Sequence, residues 1–281
     1  MIHHGNCLCG TVRWRYEGVF DGMTHCHCGL CRKAHGTAYA TYVVGAKEGL
    51  HWESGEDAIT RRESSPGFIR SFCRQCGSVL PNPHFEAIMA APAGGFEGEL
   101  GKLPTAHIFA QWKAPWFPIT DRLPQHANYP GQAAPVVSRQ APPASTDGKL
   151  RGSCLCGAVS FEVSEAFRIV QHCHCTRCRR GRAAAFATNG FTGPEGVRFT
   201  QGQEMLQVYR HPEARYFAQV FCGACGSKMP RHCPERQIAI VPLGALDDDP
   251  GRAAERHVFA ADRAPWDLIT DELPCYAAMP A

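Results

Sequence analysis

A segment rich in histidine and cysteine occurs twice in this chain, as HCHCGLC at residues 25–31 and as HCHCTRC at residues 172–178. Each copy has three cysteines in the spacing C-x-C-x-x-C, which can bring three sulfurs close to a common point. Zinc favours such tetrahedral thiolate coordination, with Zn–S distances of about 2.3 Å. Three sulfurs leave one of the four positions unfilled. The segment therefore predicts a metal site that keeps a position for water or for a substrate thiolate.

The two segments belong to an internal duplication that covers most of the chain. Three further segments recur in the same order: GNCLCGTVRW (5–14) and GSCLCGAVSF (152–161), FCRQCGSVLP (72–81) and FCGACGSKMP (221–230), and HIFAQWKAPWFPITDRLP (107–124) and HVFAADRAPWDLITDELP (257–274). The offset between copies drifts by only three residues along the whole repeat. Repeats of this length predict two copies of one domain and not a solenoid of short units.

A linker is predicted between the copies. Residues 131–149, GQAAPVVSRQAPPASTDGK, are rich in Pro, Ala and Ser and cannot bury enough apolar surface to pack. We therefore expect domains at 1–130, the first repeat, and at 150–281, the second repeat. The two repeats are expected to pack together as a pseudo-dimer.

Each repeat is predicted to be mainly β. TVRWRYEG and AVSFEVSE show short period-2 runs, AYATYVVG and AAFATNGF are typical of strands, and RSFC and YFAQVFC lead as strands into C-x-x-C turns. The segments KAHG and RRGR, which follow the central cysteines, are expected to form at most one helical turn. Small β domains of this kind need a metal to hold them together.

Composition narrows the class of protein. Of 281 residues, 44% are hydrophobic and 20% are charged, which is typical of a globular protein. The net charge of +3 does not favour nucleic-acid binding, and no apolar run approaches the ~20 residues needed to span a bilayer. The N-terminus has no signal-peptide core, so we expect a cytoplasmic protein without nucleic-acid or membrane partners.

The sixteen cysteines are better explained by metal binding than by disulfides. Disulfide frameworks suit small secreted chains, whereas these cysteines form C-x-C and C-x-x-C pairs in a chain with a full-sized core. Two distant pairs in each repeat predict a closed structural zinc site: Cys7, Cys9, Cys73 and Cys76 in the first, and Cys154, Cys156, Cys222 and Cys225 in the second.

Two sets of three cysteines remain for the central motifs: Cys26, Cys28 and Cys31, and Cys173, Cys175 and Cys178. We interpret each as an open zinc site where catalysis is centred. In the alternative interpretation, His25 or His27, and His172 or His174 in the second repeat, complete a closed site. With both kinds of site filled, the sequence predicts two zinc ions per domain and four per chain. Cys233 and Cys275 have no counterparts and are expected to be ordinary cysteines.

The two repeats differ at Arg70, whose counterpart in the second repeat is Gln219. An arginine at this position could bind an anionic group of the substrate, which makes Arg70 a candidate substrate-binding residue. In the alternative, Arg70 pairs with a surface carboxylate. From this difference we expect the first repeat to carry most of the turnover.

His107 and His257 are expected to be hydrogen-bonded core histidines, and Asp121 and Asp271 to cap turns.

The succession G-x-C-x-C-G, H-C-x-C-x-x-C-R and F-C-x-x-C-G-S, followed by H-[IV]-F and APW, resembles the glutathione-dependent formaldehyde-activating enzyme family, also called the CENP-V/GFA family. The resemblance covers both repeats. It implies two tandem Mss4-like zinc-binding β domains. It also assigns the four-cysteine sets to structural zinc and the three-cysteine sets to catalytic zinc.

The resemblance further implies an activity like S-(hydroxymethyl)glutathione synthase. We therefore expect a zinc-dependent carbon–sulfur lyase that acts on a thiol adduct or a small electrophilic metabolite, with glutathione or another thiol as a partner. Three thiolates weaken the Lewis acidity of zinc, which favours thiolate transfer over hydrolysis. In the alternative, the chain is a non-catalytic, zinc-stapled binding or scaffold protein.

Overall fold

The computed structural model describes residues 1–131 and 147–280. Its two halves are built mainly from β-strands, and the order of elements in the first repeat recurs in the second. The prediction of two tandem, mainly β domains is therefore confirmed. Residues 132–146, the greater part of the predicted linker, lie outside the described residues. Within the described ranges, no helix combines the length and apolar character needed to cross a membrane.

The first repeat consists of three small sheets and one α-helix. Its elements are β1 (Ile2–Asn6), β2 (Arg13–Glu17), β3 (Gly22–Cys26), α1 (Gly29–His35), β4 (Ala40–Ala46), β5 (Leu50–Ser54), β6 (Ile59–Ser65), β7 (Phe68–Cys73), β8 (Val79–Leu80), β9 (Ile88–Pro92) and β10 (His107–Ile108). The strand orders are β1-β2-β5, β10-β3-β4-β9 and β6-β7-β8. Within the central sheet, β10 runs parallel to β3 and the other pairs are antiparallel.

The second repeat has the same plan. Its elements are β11 (Leu150–Ser153), β12 (Ser160–Val163), β13 (Ile169–Cys173), α2 (Thr176–Arg182), β14 (Ala187–Thr192), β15 (Val197–Gln201), β16 (Leu206–Arg210), β17 (Ala218–Cys222), β18 (Lys228–Met229), β19 (Arg231–Cys233), β20 (Ile238–Pro242) and β21 (His257–Val258). The strand orders are β11-β12-β15, β19-β20-β14-β13-β21 and β16-β17-β18. The central sheet thus gains β19 at its edge.

Period-2 burial explains the strand after each C-x-C turn. In β2 the side chains of Trp14 and Tyr16 are buried, while Arg13 and Glu17 are exposed. Gly5 lies opposite Trp14 in β1, and a Cβ atom there would lie 2.4 Å from the indole ring. The glycine that precedes each C-x-C motif is therefore required by the packing of an aromatic ring against the neighbouring strand.

The segments KAHG and RRGR each contribute no more than about one turn, but the helices that contain them begin earlier, within the cysteine motifs. Helices α1 and α2 each have seven residues and begin directly after Cys28 and Cys175. The sulfur of Cys28 caps α1 by accepting a hydrogen bond from the amide of Cys31 at 3.3 Å. This cap satisfies an amide that the first turn would otherwise leave unpaired, so the helix starts within the metal loop itself.

The two repeats contact each other through matched pairs of residues. A Cβ atom on Gly94 would lie 2.3 Å from the backbone of Ala184, and one on Gly244 would lie 2.4 Å from the backbone of Thr37. The segments Ala93–Gly95 and Leu243–Ala245 therefore approach the helix ends of the opposite repeat at backbone distance. A single cluster of buried hydrophobic residues contains side chains from both repeats, including Trp14 and Phe161.

A buried ion pair also joins the repeats. Lys33 of α1 lies 2.7 Å from the carboxylate of Asp247, and it donates to the carbonyl oxygens of Ser153 and Ala245 at 2.9 and 2.7 Å. The side chains of Lys33 and Asp247 are only 8% and 6% exposed. In the matching pair, the second repeat supplies the cation Arg180 and the first supplies Glu97. Their charged groups are 3.0 Å apart, and Glu97 is half exposed.

We expect Lys33→Met to lower the free energy of unfolding by about 3–5 kcal/mol, because it leaves the buried Asp247 carboxylate without its cation. The matched control, Arg180→Met, leaves behind a Glu97 carboxylate that is half exposed to water, and should cost about 0–1 kcal/mol. Urea denaturation of the metal-loaded protein measures both changes. Equal costs for the two substitutions would show that the buried pair does not stabilise the contact between the repeats.

Candidate metal centres

Four cysteines converge in the first repeat from two distant turns. Cys7 and Cys9 lie in the turn between β1 and β2, whereas Cys73 ends β7 and Cys76 lies in the turn before β8. All four sulfurs lie within 4.8 Å of one another. The sulfur of Cys9 is 3.4 Å from that of Cys7 and 3.8 Å from that of Cys73. Four thiolates at this spacing can fill every position of a tetrahedral ion.

The second repeat contains the same closed cluster, formed by Cys154, Cys156, Cys222 and Cys225. The sulfur of Cys156 is 3.4 Å from that of Cys154 and 3.9 Å from that of Cys222. Hydrogen bonds from Cys154 and Cys222 lower the pKa of Cys156 to about 6. A thiolate is therefore present at neutral pH, and thiolate is the form that binds metal.

Each three-cysteine set also converges. Cys26 ends β3, Cys28 caps α1 and Cys31 lies in its first turn, and their sulfurs lie within 4.8 Å of one another. The second set, Cys173, Cys175 and Cys178, has the same arrangement at the junction of β13 and α2. A strand end and a helix start hold the three sulfurs of each set, so the spacing C-x-C-x-x-C produces the expected cluster.

Each three-cysteine cluster holds a thiolate. Hydrogen bonds from Cys26 and Cys28 keep the pKa of Cys31 well below its ordinary value, and the charge of Arg70 adds to this effect. In the second cluster, hydrogen bonds from Cys173 and Cys178 lower the pKa of Cys175 to about 3. Thiolates are soft ligands that favour zinc and similar ions. The four clusters therefore fit a zinc-type metal, and each could hold one ion.

The histidines beside the cysteines belong to hydrogen-bond chains and not to the metal clusters. His25 Nδ1 bonds to Thr41 at 2.9 Å, and His27 Nε2 bonds to His107 Nδ1 at 2.8 Å. Among the described residues, the donor atoms grouped at each three-cysteine set come from cysteine alone. The alternative in which a neighbouring histidine completes a closed site is therefore not supported, and each set offers three ligands.

The chain of hydrogen bonds that begins at His27 continues through His107 to a carboxylate. His107 Nε2 lies 2.9 Å from Asp121, whose carboxylate also accepts a hydrogen bond from the amide of Leu123. His107 is therefore a hydrogen-bonded core histidine, and Asp121 stabilises a turn, as predicted. Burial lowers the pKa of His27 to about 3, so this ring is neutral.

The matching chain of hydrogen bonds in the second repeat includes an additional carboxylate. His174 Nε2 bonds to His257 Nδ1 at 2.8 Å, and His257 Nε2 lies 3.0 Å from Asp271. On its other side, His174 Nδ1 lies 3.3 Å from the buried carboxylate of Asp267, whose counterpart in the first repeat is Phe117. Asp121 and Asp271 line an inter-repeat cavity of about 310 Å³.

A buried arginine lies against the three-cysteine cluster of the first repeat. Arg70 is 8% exposed, and its guanidinium donates to the sulfur of Cys31 at 3.5 Å and to the hydroxyl of Tyr42 at 3.3 Å. The sulfur of Cys31 thus has an internal cation beside it. Arg70 therefore does not pair with a surface carboxylate, and its role in substrate binding stays a prediction.

The cluster of the second repeat instead faces a cavity of about 390 Å³, which we call the thiolate cavity. Cys173, Cys175 and Cys178 all line it. Gln219, at the position of Arg70, donates to the carbonyl oxygen of Cys76 in the other repeat. No arginine therefore occupies the place next to these sulfurs that Arg70 takes in the first repeat. Cys178 is also partly exposed, whereas all three cysteines of the first cluster are buried.

Sequence reasoning missed the arginines of the thiolate cavity. Arg182 of α2 and Arg231 of β19 line it, where the first repeat has His35 and Asn82. Neither arginine belongs to a motif, so only an alignment of the two repeats position by position could have singled them out. Cys233 and Cys275 belong to none of the four clusters, and all sixteen cysteines are free of disulfides.

This chain is similar in sequence to known proteins. A family model described as "Glutathione-dependent formaldehyde-activating enzyme" matches residues 2–112 and 149–262. A curated protein of Halomonas elongata, named "Putative glutathione-dependent formaldehyde-activating enzyme", is 30% identical over 149 residues; the match covers 47% of this chain and 92% of that protein. The crystal structure of a Rhodobacter sphaeroides protein is 28% identical and covers 34% of this chain and 86% of that one, with a TM-score of 0.29.

The two matches of the family model fall on the two repeats, and each includes one four-cysteine and one three-cysteine cluster. This chain therefore belongs to the glutathione-dependent formaldehyde-activating enzyme family, as a tandem duplication of the family's domain.

Proposed function

We propose that this protein is a zinc-dependent enzyme of the carbon–sulfur lyase type, which joins or separates a thiol and a small electrophile such as formaldehyde. The observation that carries the proposal is the position of Cys173, Cys175 and Cys178 on the wall of a cavity of about 390 Å³. That volume is within the range of small-molecule sites. Glutathione is the first thiol to test, because the family's description names it.

The proposed metal content is four zinc ions per chain. The four-cysteine clusters would hold structural ions that tie distant turns together, since they offer a complete tetrahedral set. The three-cysteine clusters would hold ions with one position left for another ligand. Cys173, Cys175 and Cys178 would bind the working ion, and zinc there would lower the pKa of a substrate thiol.

The protein's own groups have separate tasks in this reaction. In the bond-forming direction, the thiol sulfur joins the carbonyl carbon of the electrophile, and the thiol proton ends on the carbonyl oxygen; the lyase direction reverses both changes. Phe191, Phe259 and Met279 line the thiolate cavity and keep water from the reacting atoms. Arg182, held by Asn189 at 3.2 Å, provides positive charge beside the sulfurs.

We assign the turnover to the second repeat. Cys31 of the first repeat is 4% exposed and has Arg70 against its sulfur. A substrate thiol would have to displace that guanidinium before it could approach the cluster. The first three-cysteine cluster is therefore proposed to be a metal site without turnover. This reverses the assignment expected from sequence, which took Arg70 to be available to substrate.

The remaining parts of the proposal concern organisation. The repeats would act as a pseudo-dimer with domain boundaries at 1–130 and 150–281, since matched contacts and a shared core join them. Sixteen free cysteines suit a reducing compartment, which supports a cytoplasmic location. The absence of nucleic-acid and membrane partners stays a prediction.

The first prediction concerns metal content. Protein purified without chelator should contain close to four zinc ions per chain by elemental analysis, two for each repeat. A chelator should remove one ion faster than the others, because the cluster on the thiolate cavity is the accessible one. A content of two ions per chain, with both three-cysteine sets open to thiol reagents, would limit metal to the four-cysteine clusters.

A second prediction separates the roles of the clusters. Cys73→Ser should unfold the first repeat or lower its melting temperature strongly, because it removes one of four ligands that join distant turns. Cys175→Ser should leave circular dichroism unchanged and abolish activity. If Cys175→Ser unfolds the protein and Cys73→Ser does not, the two roles have been exchanged.

The decisive test compares two triple variants, one without the sulfurs of Cys26, Cys28 and Cys31 and the other without those of Cys173, Cys175 and Cys178. Adduct formation from formaldehyde and glutathione is followed by NMR, against the uncatalysed rate in buffer. The second variant should lose activity, and the first should keep most of it. Equal losses, or a greater loss in the first variant, would refute the assignment to the second repeat. No activity of the unmodified protein with any thiol would favour a non-catalytic scaffold.

A further inference from the structure

The thiolate cavity is lined by an unusual excess of positive charge. Among its lining residues are five arginines, namely Arg177, Arg182, Arg215, Arg231 and Arg236. The carboxylate among the lining residues is that of Glu213. A bound divalent ion would leave the three thiolates with one net negative charge, which does not balance the arginines.

These arginines are held by neutral groups. Within the described ranges, none of them has a carboxylate within 4.0 Å. Arg182 donates to the side-chain oxygen of Asn189 at 3.2 Å, and Arg231 donates to the carbonyl oxygen of Tyr216 at 2.9 Å. The guanidinium groups of Arg215 and Arg236 lie 4.9 and 5.7 Å from the ring centre of Tyr216. The hydrogen-bond and aromatic partners of these arginines are thus uncharged, and the sulfurs of Cys173 and Cys178 are the anionic groups beside Arg182.

Two nitrogens in this set have no partner. Nε of Arg177 and Nη1 of Arg182 are buried and lack a hydrogen-bond acceptor among the described residues. A buried donor without an acceptor is costly, and like charges gathered at a partly enclosed site repel one another. An anion in the cavity would relieve the repulsion among the arginines, whereas Nη1 of Arg182 lies against Gly36 of the first repeat and is closed off from the cavity. Guanidinium groups bind carboxylates and phosphates through paired hydrogen bonds.

The first repeat does not share this arrangement. The positions of Arg177, Arg182 and Arg231 are occupied there by Leu30, His35 and Asn82. His35 bonds to Tyr42 at 2.9 Å, and Asn82 donates to the carbonyl oxygen of Ile69. The arginines are therefore not needed to build the fold, since the same fold forms without them.

We propose that the thiolate cavity selects a ligand with two or more anionic groups and no cationic group, which carries its thiol or thiol adduct to Cys173, Cys175 and Cys178. That the ligand carries a thiol rests on the proposed function. That it is anionic rests on the arginines that line the cavity. An ammonium group would meet Glu213 and five arginines, so a zwitterionic thiol such as glutathione should bind less well than a thiol that is purely dianionic.

The test measures dissociation constants by calorimetry on the zinc-loaded protein with a series of small thiols. Mercaptosuccinate has two carboxylates, mercaptoacetate has one, 2-mercaptoethanol is neutral and cysteamine has an ammonium group. We expect affinity to fall in that order, with at least tenfold between mercaptosuccinate and 2-mercaptoethanol. Glutathione should bind more weakly than mercaptosuccinate, and the preference for mercaptosuccinate should shrink as salt is raised.

Substitutions test whether the arginines of the thiolate cavity cause the preference for mercaptosuccinate. Arg215→Gln should weaken mercaptosuccinate binding by about tenfold and leave 2-mercaptoethanol binding unchanged. Arg182→Gln should weaken mercaptosuccinate binding at least tenfold more than it weakens 2-mercaptoethanol binding. Arg215 is exposed, so its replacement does not endanger folding. The matched control is Arg198→Gln, an equal change in net charge at an exposed residue that pairs with Glu162 and does not line the cavity. Affinity for mercaptosuccinate should not change in this control.

The possible outcomes separate the two proposals. Equal binding of all the thiols, or tighter binding of glutathione than of mercaptosuccinate, would overturn the charge selection and leave the thiol chemistry standing. Binding of succinate together with failure of every thiol to bind at the sulfurs would overturn the proposed function and leave an anion site. A loss of mercaptosuccinate affinity in Arg198→Gln equal to that in Arg182→Gln would overturn the assignment to the cavity.

Discussion

The convergence of four sulfurs from turns far apart in the sequence is the interaction on which each repeat depends. Cys7 and Cys9 lie in a turn of one three-stranded sheet, and Cys73 and Cys76 lie in a turn of another. An ion bound there would join the sheet β1-β2-β5 to the sheet β6-β7-β8. Strands of two to seven residues bury little surface on their own, so the relative placement of the sheets relies on this junction.

In each repeat, the helix that contributes to the three-cysteine cluster also contacts the other repeat. In α1, Cys31 contributes to the cluster, and Lys33, half a turn further on, enters the buried ion pair with Asp247. In α2, Cys178 and Arg180 have the same relation, with Glu97 as the partner. A rotation of either helix would move a sulfur and a cross-repeat contact together. The geometry of each three-cysteine site is therefore coupled to the packing of the two repeats.

Cysteine spacing and hydrophobic alternation were sufficient to predict the strands beside the cysteine motifs, the duplication and all four clusters, because these show as local patterns that occur twice in the sequence. Access to the clusters could not be predicted in the same way. Whether Cys31 is sealed depends on Arg70 and Tyr42, which come from other strands, and motif spacing does not report how such side chains meet. The start of α1 was not predicted, because Cys28 is both a member of the cluster and the cap of the helix.

A few substitutions are enough to make one fold closed in the first repeat and open in the second. Arg70 places a guanidinium against the thiolate of Cys31, so the first cluster is compensated by a group of the protein itself. With Gln219 in its place, the amide turns to the carbonyl oxygen of Cys76, and the positive charge of the second repeat comes instead from residues on the cavity wall. Under the proposed function, positive charge that lies against the sulfurs of one cluster is available to an incoming ligand at the other. Duplication allows this division, because the closed copy can continue to support the packing of the open one.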